Sequence, residues 1–207
     1  MIKQLWLVTI VIIVAYHLCD ATSSVATLIK KKYTGSAHLT TQFEQNIYWS
    51  VREKTSKKRG TIILASNDNF RVELGNDLYI SNGSLYWHYN SSSNQVDIRQ
   101  LKNLDLSVQP SHMFKTFLTT YTFRETENNG KKATLVWKDD SAESTNYQSI
   151  TLTVQLPSGI ISSLVFIDSN DNIHTYTFKK TVFGKEVPTT TFEFEAPPNA
   201  HIIDNRR

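Results

Sequence analysis

The chain has 207 residues, of which 40% are hydrophobic, 11% aromatic and 20% charged. This length and apolar content suit a single domain with a real core, and they exclude wholesale disorder. Seven glycines and five prolines are too few for a collagen-like or low-complexity chain. The net charge of only +3 argues against a dedicated nucleic-acid binder. We interpret the one basic run, 54–59, as a solvated loop rather than a binding patch.

The N-terminus has the pattern of a secretory signal peptide. Lys3 supplies the positive charge, residues 5–15 are almost continuously apolar, and Ala21 ends a small-residue cleavage site. The apolar run is shorter than the about 20 residues that a membrane-spanning helix needs, so cleavage is favoured over a retained anchor. The sequence therefore predicts a cleaved signal peptide at 1–21 and a single exported domain at 22–207.

The only cysteine, Cys19, lies inside the predicted signal peptide. Leu18 precedes it at a position where a lipoprotein processing site would need a small residue, so we do not expect lipid attachment. Cleavage would leave a mature chain without a thiol, which excludes disulfides, thiolate metal sites and a cysteine nucleophile.

A short amphipathic helix is the first predicted element of the mature chain. Ser23 and Ser24 can cap it, and apolar side chains follow at helical spacing from Val25 to Tyr33. Gly35 ends this pattern. A second helix is predicted after Pro110, where the apolar residues gather on one side of the helix.

Strands dominate the rest of the chain, because the hydrophobic period changes to two. In the segment 69–74, Phe70, Val72 and Leu74 alternate with Arg71 and Glu73. Asn82-Gly83 is a strong hairpin signal. Further strands are predicted at 78–80, 85–89, 95–101, 134–138, 149–156, 160–168, 173–180 and 190–195. Consecutive hairpin-linked strands favour one large antiparallel sheet, which must curl, close or be covered.

Motifs that would indicate an enzyme are missing from the sequence. No G-x-S-x-G, H-E-x-x-H, Walker or G-x-G-x-x-G pattern occurs, and no two histidines of the mature chain lie within five residues of each other. The segment 168–172 resembles the start of a calcium loop, but Ile173 replaces the required glycine and Lys179 the bidentate glutamate, so a hairpin turn is favoured. We predict a protein that is not an enzyme, with no catalytic residues, cofactor or metal. A secreted hydrolase with a scattered Ser/His/Asp site is the alternative.

Four stretches, in order, resemble the LolA family of periplasmic lipoprotein carriers. Residues 39–47 resemble an early F-x-Q strand, and 59–74 contain Phe70-Arg71-Val72 where the family has F-R-W. Residues 80–96 resemble the pattern S-D-G-x-x-L-W-x-Y, a turn and Q-V. Residues 192–204 are similar to the closing F-x-F-x-P-P-x-G-x-x-x-x-D, with Ala200 where the family often has glycine.

The resemblance implies a mainly β (α+β) fold: an unclosed antiparallel β-barrel whose short α-helices form a lid over a hydrophobic cavity. It implies a monomeric periplasmic chaperone that takes acylated lipoproteins from an inner-membrane exporter to an outer-membrane acceptor. It implies no nucleic-acid partner. Ser66-Asn67 stand where some members have Arg-Pro, and that arginine is associated with holding the lid shut.

The predicted cargo-binding residues are the apolar faces of three strand segments and of the second helix. They are Ile62, Leu64, Phe70, Val72, Leu74, Leu85, Trp87, Tyr89, Met113, Phe114, Phe117 and Leu118. We expect Leu85, Trp87 and Tyr89 to share the cavity face with Phe70 and Val72. Two alternatives to the lipoprotein carrier stay open: a carrier of another lipid or glycolipid on the same fold, and the lipid-anchored acceptor relative.

Overall fold

A computed structural model describes residues 23–104, 114, 117–138 and 146–206. Within these residues the chain forms helix α1 (Ser24–Gly35) and twelve strands. The strands are β1 (Leu39–Trp49), β2 (Lys54–Leu64), β3 (Asn69–Leu74), β4 (Asp77–Asn82), β5 (Leu85–Asn90), β6 (Gln95–Gln100), β7 (Arg124–Asn128), β8 (Lys132–Lys138), β9 (Tyr147–Gln155), β10 (Ile160–Asp168), β11 (Ile173–Phe183) and β12 (His201–Asn205). Short 3-10 turns lie at Leu101–Asn103 and Thr189–Phe192. Residue 114 and residues 117–120 are also helical.

All twelve strands belong to one sheet, in the order β12-β6-β5-β4-β3-β2-β1-β11-β10-β9-β8-β7. Neighbours are antiparallel except for β12, which runs parallel to β6. The sheet ends at β12 on one side and β7 on the other, so it is not closed into a barrel. The predicted fold class, mainly β with an unclosed antiparallel sheet and few short helices, is confirmed.

Helix α1 forms where the sequence predicts it. The hydroxyl of Ser23 accepts a hydrogen bond from the backbone N–H of Val25 at 3.1 Å, which satisfies one free donor of the first turn. The same hydroxyl donates to the carboxylate of Glu125 on β7. Val25, Ala26 and Ile29 are buried against the sheet, so packing rather than propensity holds this 12-residue helix in place.

We call the side of the sheet that packs against α1 the inner face. Residues that pair across neighbouring strands point to the same side, and the register places Phe43 with Phe178, Ile62 with Val72, and Leu152 with Leu164. Their side chains form one cluster with the buried residues of α1. Full burial of such a side chain stabilises the fold by about 1.5–3 kcal/mol.

The opposite, outer face carries a second and smaller apolar cluster. Trp87 and Tyr89 lie 6.4 and 5.9 Å from the ring of Phe194, while Ile80 and Val96 are completely buried without joining the inner cluster. The 3-10 turn at Thr189–Phe192 contacts β3 and β4. The chain after β11 therefore crosses the outer face before it returns as β12.

Two interpretations of the sequence are wrong. Residues 190–195 alternate like a strand, but they form a 3-10 turn and an unpaired segment because Phe192 and Phe194 pack on the sheet instead of pairing at its edge. The basic run 54–59 is the exposed first half of β2, not a loop. Its cations are held by strand neighbours, with Lys57 and Arg59 on Glu44 and Lys58 on Asp77.

The turn between β10 and β11 is a hairpin, as the sequence predicts. The carboxylate of Asp168 accepts hydrogen bonds from the backbone N–H groups of Asn170 and Asn172, and from the side chains of Asn172 and His174. In the described part of the chain, no group of three His, Cys, Asp or Glu side chains could hold a metal ion. No helix within that same part is long and apolar enough to cross a membrane.

Candidate binding cavity

Eight of the predicted cargo-binding residues come together on the inner face. Ile62, Phe70, Val72, Phe114, Phe117 and Leu118 are buried in its cluster, and Leu64 and Leu74 are partly buried against it. Met113 lies outside the described residues. The structure thus brings residues of β2–β3 together with Phe114, Phe117 and Leu118, which lie about 40 positions later in the sequence.

The other three predicted residues, Leu85, Trp87 and Tyr89, lie on the outer face. The pairs Phe70–Ser81 and Ser81–Tyr86 carry the inner face across β4 to Tyr86, which is buried and lies 6.3 Å from the ring of Phe70. The expectation that Trp87 shares the inner face is therefore wrong. Both faces of β5 carry aromatic side chains, so alternation alone could not choose between them. The lengths of the two turns decide which face of β5 points inward. Because the turns at 75–76 and 83–84 have two residues each, residue 70 pairs with 81 and residue 81 pairs with 86.

Two parts of the chain cover the inner face, and we call them the lid: helix α1, and residue 114 together with the helical residues 117–120. Phe114 packs on Tyr33 of α1 at 5.4 Å and on Phe178 of the sheet at 5.3 Å. Phe117 lies 5.2 Å from Tyr147 and 5.8 Å from Phe166. These ring contacts reach from α1 to β9, so the lid is held against the sheet largely by aromatic packing.

Tyr33 supplies a directional contact between the lid and the sheet. Its hydroxyl accepts a hydrogen bond from the backbone N–H of Ile161 on β10 at 2.9 Å. Burial raises the pKa of Tyr33 to about 12, although this hydrogen bond opposes the shift. Nearby, the ammonium of Lys32 lies 4.8 Å above the ring of Phe183. Sequence reasoning missed both residues, since it assigned no role in binding to α1.

A cavity of about 350 Å³ lies between the two parts of the lid. Ala26, Ile29, Leu118, Tyr121 and Phe123 form its apolar walls, and Thr27, Lys30, Thr119 and Thr122 add polar groups. Ligand sites usually measure about 300–1,000 Å³, so this opening is at the small end of that range. It marks the place where separation of the two lid elements would expose the inner face.

The inner face becomes polar over β4–β6. Asp77 accepts hydrogen bonds from Asn90 at 2.7 Å and Lys58 at 3.0 Å, and it lies 3.1 Å from His88 Nε2. Burial alone would raise the pKa of Asp77, but these hydrogen bonds outweigh it and lower the pKa. His88 also stacks on Tyr79 at 4.5 Å. One surface therefore offers an apolar region and, beside it, a polar region whose groups are mutually satisfied.

The β2–β3 turn holds the position where some relatives of the resembled family have arginine. Asn67 and Asp68 both have positive φ, 60° and 56°, and the backbone N–H of Ala65 donates to the carbonyl of Asn69 at 2.8 Å. These values fit a tight type I′ turn. Ser66 stands at its start and offers no guanidinium to the lid.

Known proteins resemble this chain in sequence and in fold. The family model "Outer membrane lipoprotein carrier protein LolA" matches residues 34–195. An outer-membrane lipoprotein carrier protein of Wigglesworthia glossinidia brevipalpis is 25% identical over 78% of this chain and 81% of its own. Another, from Francisella tularensis, is 22% identical over 91% of this chain and 90% of its own. A solved structure of an uncharacterised conserved protein from Thermus thermophilus superposes with a TM-score of 0.56 at 12% identity, covering 87% of this chain and 97% of its own.

An unclosed sheet with a covered apolar face suits a protein that binds apolar ligands. Because the family model spans most of its length, the chain belongs to the LolA family of outer-membrane lipoprotein carriers. This family consists of periplasmic binding proteins rather than enzymes.

Proposed function

We propose that the protein is a periplasmic chaperone that shields the acyl chains of lipoproteins on its inner face and carries them from an inner-membrane exporter to the outer membrane. The observation that carries the proposal is the lid: Phe114 and Phe117 occupy an apolar sheet face that would otherwise be open. We further propose that residues 1–21 are removed on export and that the monomer is the active form.

Physical chemistry explains why such a carrier is needed. An acyl chain in water costs about 0.8 kcal/mol per methylene, or roughly 12 kcal/mol for about 15 of them. Free lipoproteins therefore cannot cross an aqueous compartment without cover. In the proposed cycle, the acyl chains replace the rings of Phe114 and Phe117 against Phe178 and Phe166, so the inner face stays covered in both states.

A crosslinking experiment tests where cargo binds. Photo-reactive residues at Val72 and Leu74, on the inner face of β3, should capture an acylated lipopeptide. Matched positions Arg71 and Glu73, on the outer face of the same strand, should not, because the pairs Val72–Tyr79 and Arg71–Ile80 point to opposite sides of the sheet. Equal capture at both pairs would contradict the assignment of the cavity.

A release assay tests the route. The purified protein is added to inner-membrane vesicles that contain the exporter and an acylated lipoprotein, and the lipoprotein in the soluble fraction is measured. We expect release only when the protein is present and the lipoprotein is acylated. Binding of lipid alone, without release of lipoprotein, would assign the protein to a carrier of another lipid.

A further inference from the structure

Exposed apolar side chains gather at the end of the β1–β2 hairpin, which we call the hairpin tip (residues 48–54). Val51 is 90% exposed, and Tyr48 and Trp49 are 39% and 37% exposed. Ile173, which pairs with Tyr48, is 38% exposed. Among the described residues, seven large hydrophobic side chains are exposed, and four of them lie at this one place. A concentration of this kind marks an interaction site more often than scattered exposure does.

The hairpin tip is held in place by the neighbouring β10–β11 turn. The backbone N–H of Ser50 donates to Asn172 Oδ1 at 3.1 Å, and the Ser50 hydroxyl donates to the carbonyl of Asn170 at 2.7 Å. The Trp49 indole donates to the hydroxyl of Ser56 at 3.1 Å. Val51 is therefore presented to solvent on an ordered turn, at a position where packing demands no apolar side chain.

Two cations and one anion lie next to Val51 on the tip, and Asp171 lies in the adjoining β10–β11 turn. Arg52 and Lys54 flank Val51, and neither has an ion-pair partner among the residues that the structure describes. Farther along β2, Lys57 and Arg59 share the single carboxylate of Glu44. Glu53 is the one acidic residue of the tip. An exposed apolar side chain with these two cations beside it matches an anionic bilayer, in which phosphates lie above hydrocarbon.

We propose that the hairpin tip docks the protein on the surface of an anionic phospholipid bilayer. Val51 enters the boundary of the acyl region, and Arg52 and Lys54 pair with lipid phosphates. Tyr48 and Trp49 are successive residues of β1, so their rings lie on opposite sides of the hairpin, at the level where aromatic side chains settle in membranes. This site is separate from the cavity, and it goes beyond the proposed carriage of acyl chains.

Vesicle co-flotation tests the proposal. The purified protein is mixed with vesicles of equal parts phosphatidylglycerol and phosphatidylcholine, or of phosphatidylcholine alone. We expect binding to the anionic vesicles that decreases with added salt. Val51→Asp should lower it at least fivefold, because the charge cannot enter the apolar boundary. The matched control Val182→Asp, at a 46% exposed valine in β11, should bind as the wild type does.

A second variant removes positive charge and keeps the apolar side chain of Val51. Arg52→Gln with Lys54→Gln should weaken binding to anionic vesicles about fivefold for each cation removed, and should leave binding to phosphatidylcholine unchanged. Equal binding by the wild type and Val51→Asp, or no binding by the wild type, would overturn the proposal. So would a Val51→Asp defect seen only on membranes that contain the exporter, since this would assign the tip to a protein partner. Binding of acylated lipopeptide in solution, measured on the same variants, reports on the cavity separately.

Discussion

Gly60 lies where β2 passes between β1 and β3 with no room for a side chain. A Cβ at this position would lie 2.0 Å from the carbonyl oxygen of Glu73 and 2.7 Å from the ring of Phe43. The nearer contact is with backbone, which cannot move without disturbing the β2–β3 pairing. The position therefore needs glycine because of close approach, not because of an unusual φ.

We expect Gly60→Ala to destabilise the fold by about 1–3 kcal/mol or more, the range typical of overpacking. Thermal or urea unfolding measures this change. Gly35→Ala is the matched control, since nothing lies within 4 Å of a Cβ at that position. Equal stability of the two variants would show that β3 can shift away from β2 at little cost.

Asp168 shows how a turn residue can make stability depend on pH. Burial alone would raise the pKa of Asp168, but hydrogen bonds from Asn172, His174 and two backbone N–H groups lower it to about 2. A carboxylate with a lowered pKa stabilises the fold above its ordinary pKa near 3.8, and this stabilisation disappears as the pH falls toward 2.

Asp168→Asn should therefore be less stable than the wild type at neutral pH, by about 1.5–3 kcal/mol, the value of a hydrogen bond to a charged group. Urea unfolding from pH 7 down to pH 2 checks this. The difference between the two proteins should shrink below pH 4. Asp171→Asn is the control at a neighbouring position of the same turn. A difference that stays constant with pH would mean that shape, not charge, explains the role of Asp168.

At the scale of elements, the lid can be compared directly with the 3-10 turn at Thr189–Phe192, which packs on the outer face. Phe117 and Phe192 are buried to the same extent, 3% and 4% exposed, but they pack on opposite faces of the sheet. Truncation of either to alanine should cost about 3–5 kcal/mol of stability. Only the loss of Phe117 should loosen the cover of the inner face.

We therefore expect Phe117→Ala to raise the binding of an environment-sensitive apolar dye, and Phe192→Ala to leave it at the wild-type level. Dye fluorescence is measured at a temperature where circular dichroism shows both variants folded. If Phe192→Ala raises dye binding as much as Phe117→Ala does, the dye reports general loosening, and the role of Phe114 and residues 117–120 as a lid would be refuted.

The elements that could be predicted from sequence are those whose apolar pattern is local. Helix α1 has its own N-cap and its own row of apolar residues at helical spacing. Strand β10 begins and ends at the residues where the alternation of apolar and polar side chains begins and ends. By contrast, β7 is exposed along its whole length and has no apolar alternation. It is a strand only because β8 offers a free edge.

The candidate site could be predicted in part for the same reason. The inner residues of β2 and β3 follow from the alternation in Phe70, Val72 and Leu74. The face of β5 required the register across two turns, and the role of Tyr33 required knowledge of where α1 lies on β10. Such long-range contacts leave no trace in a local pattern.

At the scale of the whole molecule, one continuous sheet gives a local stability that decreases from the central strands toward the edges. The three longest strands, β1, β2 and β11, have 11 residues each and are neighbours in the middle of the sheet. Strand β7 is a five-residue edge with all of its side chains exposed. Its charges, on Arg124, Glu125 and Glu127, discourage edge-to-edge association.

Hydrogen exchange should show this gradient. Amides in the β1–β11 and β1–β2 ladders should exchange slowest, with protection near the global free energy of unfolding, and those of β7 should exchange fastest among the strands. Mass spectrometry of peptic fragments, with and without acylated lipopeptide, measures both. Uniform protection across the sheet would contradict a graded structure.

The gap between β7 and β12 has a mechanical consequence. A closed barrel has a fixed circumference, because widening it breaks rows of backbone hydrogen bonds. In this sheet the ladders end at β7 and β12, so small changes of twist at many strand pairs can move the two edges apart while every ladder stays intact. For the proposed carriage of acyl chains, this freedom would let the volume over the inner face follow the bulk of the cargo, so that one chain could fit hydrocarbon loads of different number and length.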